Sequence, residues 1–211
     1  MTQQERATAR RDEIIRAAAA EFDEVGYAAA SLSSIAARLN RTKGAMSYHF
    51  SSKGSLAQEV AAYHFRQWDG VLAAIRAEGF SGLEATIVLS FVVSARFRDD
   101  VLVRAGMRLQ HDAGLTDVEL PKPFVWWTNM TRELLEEGRD LGQLPAEGDL
   151  DAAAEVLVEA FIGVQQISHR LTGARDIDQR VTNYWVLLLP GLGVANGSEL
   201  VARLGSAAAE F

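Results

Sequence analysis

Residues 31–50, SLSSIAARLNRTKGAMSYHF, constrain this chain more than any other stretch. They read as two short helices joined by a tight turn. Ser31 stands where an N-cap is needed, and its hydroxyl can accept from the amide of Ser34. The usual reciprocal Glu of a capping box is missing because Ser34 occupies its place, which predicts a weaker cap. Leu32, Ile35, Ala36 and Leu39 form the buried side of the first helix. Asn40 can take the left-handed conformation that closes it. Thr42 caps a second helix over 43–49, and Phe50 returns to a core.

The Asn40-Arg41-Thr42 connection has helix-turn-helix spacing. The second helix of such a pair must be narrow on its exposed face to enter a major groove. Gly44, Ala45 and Ser47 supply that narrowness. Thr42, Lys43, Ser47 and Tyr48 supply donors and an aromatic edge for phosphates and bases. Ser51 or Ser52 caps the next helix, where Lys53 adds a charge beside the helix dipole. Arg10, Arg11 and Arg41 can reach phosphates from the flanks. On pattern alone, a turn that merely packs an all-α protein fits as well as a groove reader. Ser31 reads as a cap, His49 divides between core and contact, and Lys43 and Tyr48 have no capping role.

The remainder is helical too. No stretch sustains a two-residue alternation, and the four prolines (121, 123, 145, 190) all lie beyond residue 120. Residues 9–25 place Ile14, Ile15, Ala18, Ala19 and Phe22 on one stripe, and Gly26 is expected as a left-handed C-terminal cap. A helix from Lys53 to about Ala77 follows the reader. Gly79, Ser81 and Gly82 break the pattern, and further helices are expected over roughly 83–97, 100–112, 121–138, 149–171 and 176–195. The tail GSAAAEF has nothing to bury and is expected to fray.

Two regions differ in charge. Residues 1–55 hold eight basic and six acidic side chains, a net of +2, while the remainder holds 13 and 22, a net of −9. A mildly basic head on an acidic body is compatible with local phosphate contact. There are no cysteines, which excludes disulfides, thiolate catalysis and cysteine-based zinc sites. The four histidines (49, 64, 111, 169) show no metal spacing with carboxylates. There is no Gly-rich phosphate loop and no nucleophile elbow, so neither a catalytic site nor a cofactor is expected. The N-terminus lacks signal-peptide order, and the longest apolar runs, near 86–95 and 185–195, fall short of the roughly 18–20 residues of a membrane span. A cytoplasmic protein without membrane partners is the expectation.

The body suggests a cavity. Trp126 and Trp127 are neighbours and cannot share a helix face. One can line an interior cavity while the other packs at an edge. An apolar cavity with one indole donor suits a small ligand carrying a carbonyl. Val88, Phe91, Val92, Met107, Phe161, Gln165 and Gln166 could wall it, and His64 could add a polar group, though each alone fits ordinary core packing. Val156, Leu157, Ala160, Val164, Tyr184, Trp185, Leu188 and Leu189 make broad late apolar faces, read as a two-fold interface rather than intrachain core.

The order of an amphipathic helix, DEVGY, SLSSIAARLNRTKGAMSYHF and SSKGSL resembles the DNA-binding head of the TetR family of repressors. TKGAxxxHF and the following SK-x-x-L carry most of the resemblance, which covers about residues 8–68. It implies that Thr42, Lys43, Gly44, Ala45, Ser47, Tyr48 and Lys53 face DNA, with His49 beside them. Ser47 stands where a bulky or aromatic residue is common, and Gly54 and Ser55 where acids are common. GFSGLEATIVLSF, VLVRAGMRL, LPKPFVWW and FIGVQ resemble the γ-butyrolactone autoregulator receptors of that family, extending the likeness to about residue 195. This implies that Trp127 is the ligand-pocket tryptophan; His64 replaces a common glutamine, and Arg104 is expected to hold the body's helices. The expectation is an all-α protein with a three-helix helix-turn-helix DNA-binding domain over 1–52 and a ligand-binding and dimerisation domain over 53–211. It would be a homodimeric repressor of a palindromic double-stranded operator. A small hydrophobic signal, such as a γ-butyrolactone, furan or butenolide, would release it. The rival expectations are a pseudo-receptor, a regulator answering another hydrophobic ligand, and a small-molecule-binding protein without DNA function.

Overall fold

The computed structural model describes residues 2–42, 44, 46, 49–112, 118, 120 and 123–211. Among them are nine α-helices and two short 3-10 turns, and no strand. The helices are α1 (Gln3–Ala29), α2 (Leu32–Arg38), α3 (Lys53–Ala77), α4 (Gly82–Asp99), α5 (Val101–His111), α6 (Pro123–Asp140), α7 (Leu150–Thr172), α8 (Ile177–Leu188) and α9 (Gly197–Ala207). No described helix is long and apolar enough to cross a membrane.

The chain packs as two units. The first comprises residues 1–67 and 100–121, the second 68–99 and 122–211. These packing units are drawn differently from the functional division at residue 52, because α5 and the start of α3 pack with the head. In the first unit α1 lies on α5 and carries α2. Ile14, Ala18, Phe22, Ile35, Met46, Phe50, Leu56, Val60, Leu102 and Leu109 share its core. The stripe expected on α1 is therefore the buried one. Phe50 does return to the core, at 4% exposure.

Gly26 breaks α1 as expected, but with φ 80° and ψ 168°, so the break is an extended kink open to glycine and not the expected left-handed cap. The chain resumes helical geometry to Ala29. A Cβ on Gly26 would lie 3.0 Å from an Arg108 guanidinium nitrogen and 3.2 Å from the Asp112 carboxylate. Glycine suits the φ there, and a Cβ would crowd both side chains.

In the second unit α4 is apolar all round and buried nearly throughout, as a central helix must be. Leu83, Ile87, Val88, Val92 and Phe97 pack outward from it, and α6, α8 and α9 surround it. Tyr184 donates to the Leu157 carbonyl at 2.8 Å, joining α8 to α7. Asp149 caps α7, and Gly173, at φ 64°, closes it in the left-handed conformation.

The expected helix over 176–195 ends at Leu188 and tightens into a 3-10 turn through Pro190. Proline lacks the amide that would continue the ladder. The tail corrects the expectation of fraying. Residues 197–207 form α9, with Val201 and Leu204 buried, and Ala208 is 9% exposed. Its small residues are the reason: at Gly205 an added Cβ would sit 3.2 Å from the Phe91 ring, so the backbone itself packs on α4.

Gly82, at φ 59°, starts α4 against Gly138 of α6; an added Cβ would lie 2.5 Å from the Gly138 Cα. Gly82→Ala combines a strained φ with a backbone clash. It should cost about 2–4 kcal/mol in urea or thermal unfolding.

Candidate functional site

The reading segment is bracketed by two serine boxes. Ser31 Oγ accepts from the Ser34 amide at 3.0 Å, and Ser34 Oγ accepts from the Ser31 amide at 3.0 Å. Ser34 therefore supplies the reciprocal bond that Glu usually makes, and the cap is complete rather than weak. Ser52 repeats the device at the start of α3, accepting from the Ser55 amide at 3.0 Å while Ser55 Oγ takes the Ser52 amide at 3.3 Å. Asn40 has φ 53° and closes α2 as expected. Thr42 and Gly44 are exposed, Met46 is fully buried, and His49 is half-buried. The expected contacts Lys43, Ala45, Ser47 and Tyr48 lie outside the described residues.

Lys53 is held from behind. Its Nζ donates to the Tyr27 carbonyl at 2.7 Å and sits 4.1 Å from the centre of the Tyr27 ring. The lysine thus pins the start of α3 to the last turn of α1, just past the Gly26 kink. Two flanking arginines are also engaged: Arg11 pairs with Glu59 at 2.6 Å and covers the Phe50 ring, and Arg41 pairs with Glu13 at 3.1 Å. Arg10 is exposed.

Helix α5 clamps the same turn. Arg104 Nε meets Asp23 at 2.9 Å, Arg108 donates to the Asp23 carbonyl, and Asp112 accepts from the Tyr27 amide at 2.7 Å. This corrects the expectation that Arg104 holds the body's helices. It ties α5 to the first helix of the head.

The expected ligand residues are divided between the two units. His64 and Met107 belong to the first unit and are buried there, at 0% and 7% exposure. His64 sits at a close approach of α3 and α5: a Cβ on Gly106 would lie 2.5 Å from the His64 Cβ. Burial pushes its imidazole down to about 4. In the second unit, Trp127 packs on Trp68 with ring centres 5.4 Å apart and on Trp126 at 4.8 Å. Both neighbouring indoles on α6 are half-buried, so neither is simply an edge residue. Phe161 instead faces Tyr184 at 5.8 Å. Phe91 lies under α9 and floors a groove of about 380 Å³ with Ala95, Arg98, Asp178 and Val201. Val88 and Gln165 are wholly buried.

Trp68 was missed by the sequence reading. Its signal was present: Val60, His64 and Trp68 recur every fourth residue, with Val71 and Ile75 continuing the buried stripe of α3. The expected dimer face also divides. Leu157, Tyr184, Trp185 and Leu189 are core, Ala160, Val164 and Leu188 are half-buried, and Val156 is exposed. Ile167, Leu171 and Leu187 join Val156 among the exposed large apolar residues of α7 and α8. Among the described residues no group of three or more potential metal ligands occurs.

Two expected outcomes follow from this geometry. The unfolded chain takes up a proton at His64 below its ordinary value near 6.5, while the folded chain resists until about 4. Stability should therefore fall as pH drops across that window, by up to about 3 kcal/mol from this group. His64→Gln should flatten that part of the pH profile in urea titrations. Lys53→Gln should lower head stability by about 1 kcal/mol even without DNA, through loss of the Tyr27 contacts; unchanged melting would remove its pinning role.

The chain matches the profile of bacterial regulatory proteins of the tetR family over residues 14–60. It matches the tetracyclin repressor-like C-terminal domain over residues 80–194. The A-factor receptor protein of Streptomyces griseus is 31% identical over 199 residues, spanning 91% of this chain and 67% of that protein. Among solved structures, an ArpA-like γ-butyrolactone receptor is similar at 29% identity and TM-score 0.82, over 96% of this chain and 99% of that one. CprB, a TetR family protein of Streptomyces coelicolor, is similar at 30% identity and TM-score 0.84, over 95% and 98%. CprB has also been solved with its biological operator sequence.

Proposed function

The chain belongs to the TetR family of bacterial regulatory proteins, and from that membership we propose that it is a homodimeric transcriptional repressor released by a small hydrophobic signal. Similarity to the A-factor receptor and to a γ-butyrolactone receptor favours a signal of the γ-butyrolactone, furan or butenolide kind. The observation that carries the DNA reading is the short α2, closed at Asn40 and capped at Ser31, with a second serine box at Ser52 on the far side of the reading segment. That frame leaves Thr42 and Gly44 exposed and buries Met46 and Phe50 behind them. Thr42, Lys43, Gly44, Ala45, Ser47, Tyr48, His49 and Lys53 are the proposed DNA-facing residues. The role of this protein is binding, not catalysis, and its place is the cytoplasm, on DNA.

The exposed apolar residues Val156, Ile167, Leu171 and Leu187 on α7 and α8 suit a two-fold interface. Two heads so joined can meet half-sites about 34–36 Å apart. Helix α3 is unbroken from Lys53, pinned to Tyr27, to beyond Trp68, packed on Trp127. A ligand engaging Trp127 would displace Trp68 and so move α3, altering the spacing of the heads. Trp127, Val88, Phe91, Phe161 and Gln165 in the body, with His64 and Met107, remain the proposed ligand residues.

Purified protein should retard DNA carrying its own upstream region in a salt-dependent manner; no retardation would overturn the repressor reading. Lys43→Ala should weaken operator binding about tenfold, whereas Trp127→Ala should leave operator affinity within about threefold and abolish release by an acyl-γ-butyrolactone. Loss of both properties in Trp127→Ala would assign that residue to structure alone.

A further inference from the structure

Within the second unit, the direction of each helix can be read from its bonds. Trp185 Nε1 donates to Ser90 Oγ at 2.7 Å, and Arg98 pairs with Asp178 at 2.7 Å, so α4 and α8 are antiparallel. Tyr184 reaches Leu157, and Ser168 donates to Asp176 at 2.6 Å, so α7 and α8 are antiparallel as well. It follows that α4 and α7 run in the same direction. The Phe97 ring of α4 meets the His169 ring of α7 at 5.7 Å. One turn earlier on each helix stand Ser94 and Gln165, which the register places at one level of the bundle.

Both residues are at 0% exposure. Neither amide atom of Gln165, nor the hydroxyl of Ser94, meets a hydrogen-bonding partner among the described residues. Folding does not leave three buried polar atoms unmatched without cause, since each costs free energy that an apolar side chain would not. The neighbouring hydroxyl of Ser90 shows the contrast: it accepts from Trp185 and donates to the Ile87 carbonyl at 2.6 Å.

We propose that Ser94 and Gln165 form the polar anchor for the signalling ligand, and that the group they hold is a neutral hydroxyl. This rests on the reading of the body as a small-molecule sensor and names the chemistry it selects. An amide offers one donor and one acceptor side, and a serine hydroxyl offers both, so together they match a group that donates and accepts at once. A carboxylate does not fit. Its charge would need a cation, and Arg98, one turn beyond Ser94, already has its guanidinium held by Asp99 and Asp178. The ligand's apolar part would lie along the buried aliphatic side chains of α4, with specificity set by the penalty for leaving the anchor unmatched.

The test has two arms. In the first, Gln165→Leu and Gln165→Met are melted without any ligand. Removing an unmatched amide should raise Tm by about 2–6 °C. A fall in Tm in both variants would mean that Gln165 has a permanent internal partner, such as a bound water, and would overturn the proposal. In the second, operator release is titrated with two synthetic acyl-γ-butyrolactones, one bearing a free hydroxyl on its ring substituent and one with that hydroxyl methylated. The wild type should respond to the free hydroxyl at about tenfold lower concentration, and Gln165→Leu and Ser94→Ala should erase that difference while operator affinity stays unchanged. Equal response of the wild type to both probes would also overturn it. Failure of both probes on the wild type would count against the lactone reading, and the melting arm would then decide the anchor by itself.

Discussion

The turn at Gly26 is the point on which the first unit depends. One helix ends there and another begins a few residues later, and two more are fastened to it. Asp23 receives Arg104 and Arg108, the Tyr27 amide is taken by Asp112, and the Tyr27 carbonyl is taken by Lys53. A residue with a Cβ would be strained at that φ and would press on the Arg108 and Asp112 side chains that reach in. Because the partners come from α3 and α5, the orientation of the reading segment is set by helices far along the chain. A head built this way cannot be regarded as the first 52 residues alone.

That dependence explains what could and could not be read beforehand. The cap at Ser31, the left-handed Asn40 and the extent of α3 are local events, decided by residues three or four apart, and the sequence pattern located them, while the second cap was narrowed to Ser51 or Ser52. The serine that completes the first box, Ser34, was visible but undervalued, because a hydroxyl was not credited with the reciprocal bond. The alliance of α5 with the head was hidden: Arg104 and Asp23 are 81 positions apart, and nothing in either segment announces the other. The tail was misjudged for a different reason. Alanine, glycine and serine offer little surface of their own, and their burial depends on the flat approach that Phe91 and α4 allow.

The candidate ligand residues divide along the same line. Trp127 was found from its position in a motif, yet Trp68, its packing partner, lies on a helix read mainly for its N-terminus. Apolar side chains such as Val88 and Phe161 could be named as body residues without knowing what they face; Val88 is wholly buried and Phe161 meets Tyr184. Gln165 stood out because a polar side chain on an apolar helix is costly wherever it points. Its full burial makes that cost concrete.

The two serine boxes have a further consequence. Most of the fastenings in the head are ionic: the Asp23 clamp, the Arg38 pairs with Glu21 and Glu24, and the Arg11–Glu59 pair. Such bonds weaken in electrolyte. The boxes on either side of the reading segment contain no charge and do not titrate. These two caps are therefore less sensitive than the ion pairs to ionic strength, the very variable that governs adhesion to a polyanion. Among the described residues neither α2 nor α3 carries an acidic residue in its own first turn, and the carboxylate that meets a box, that of Glu21 at Ser34, is paired with Arg38.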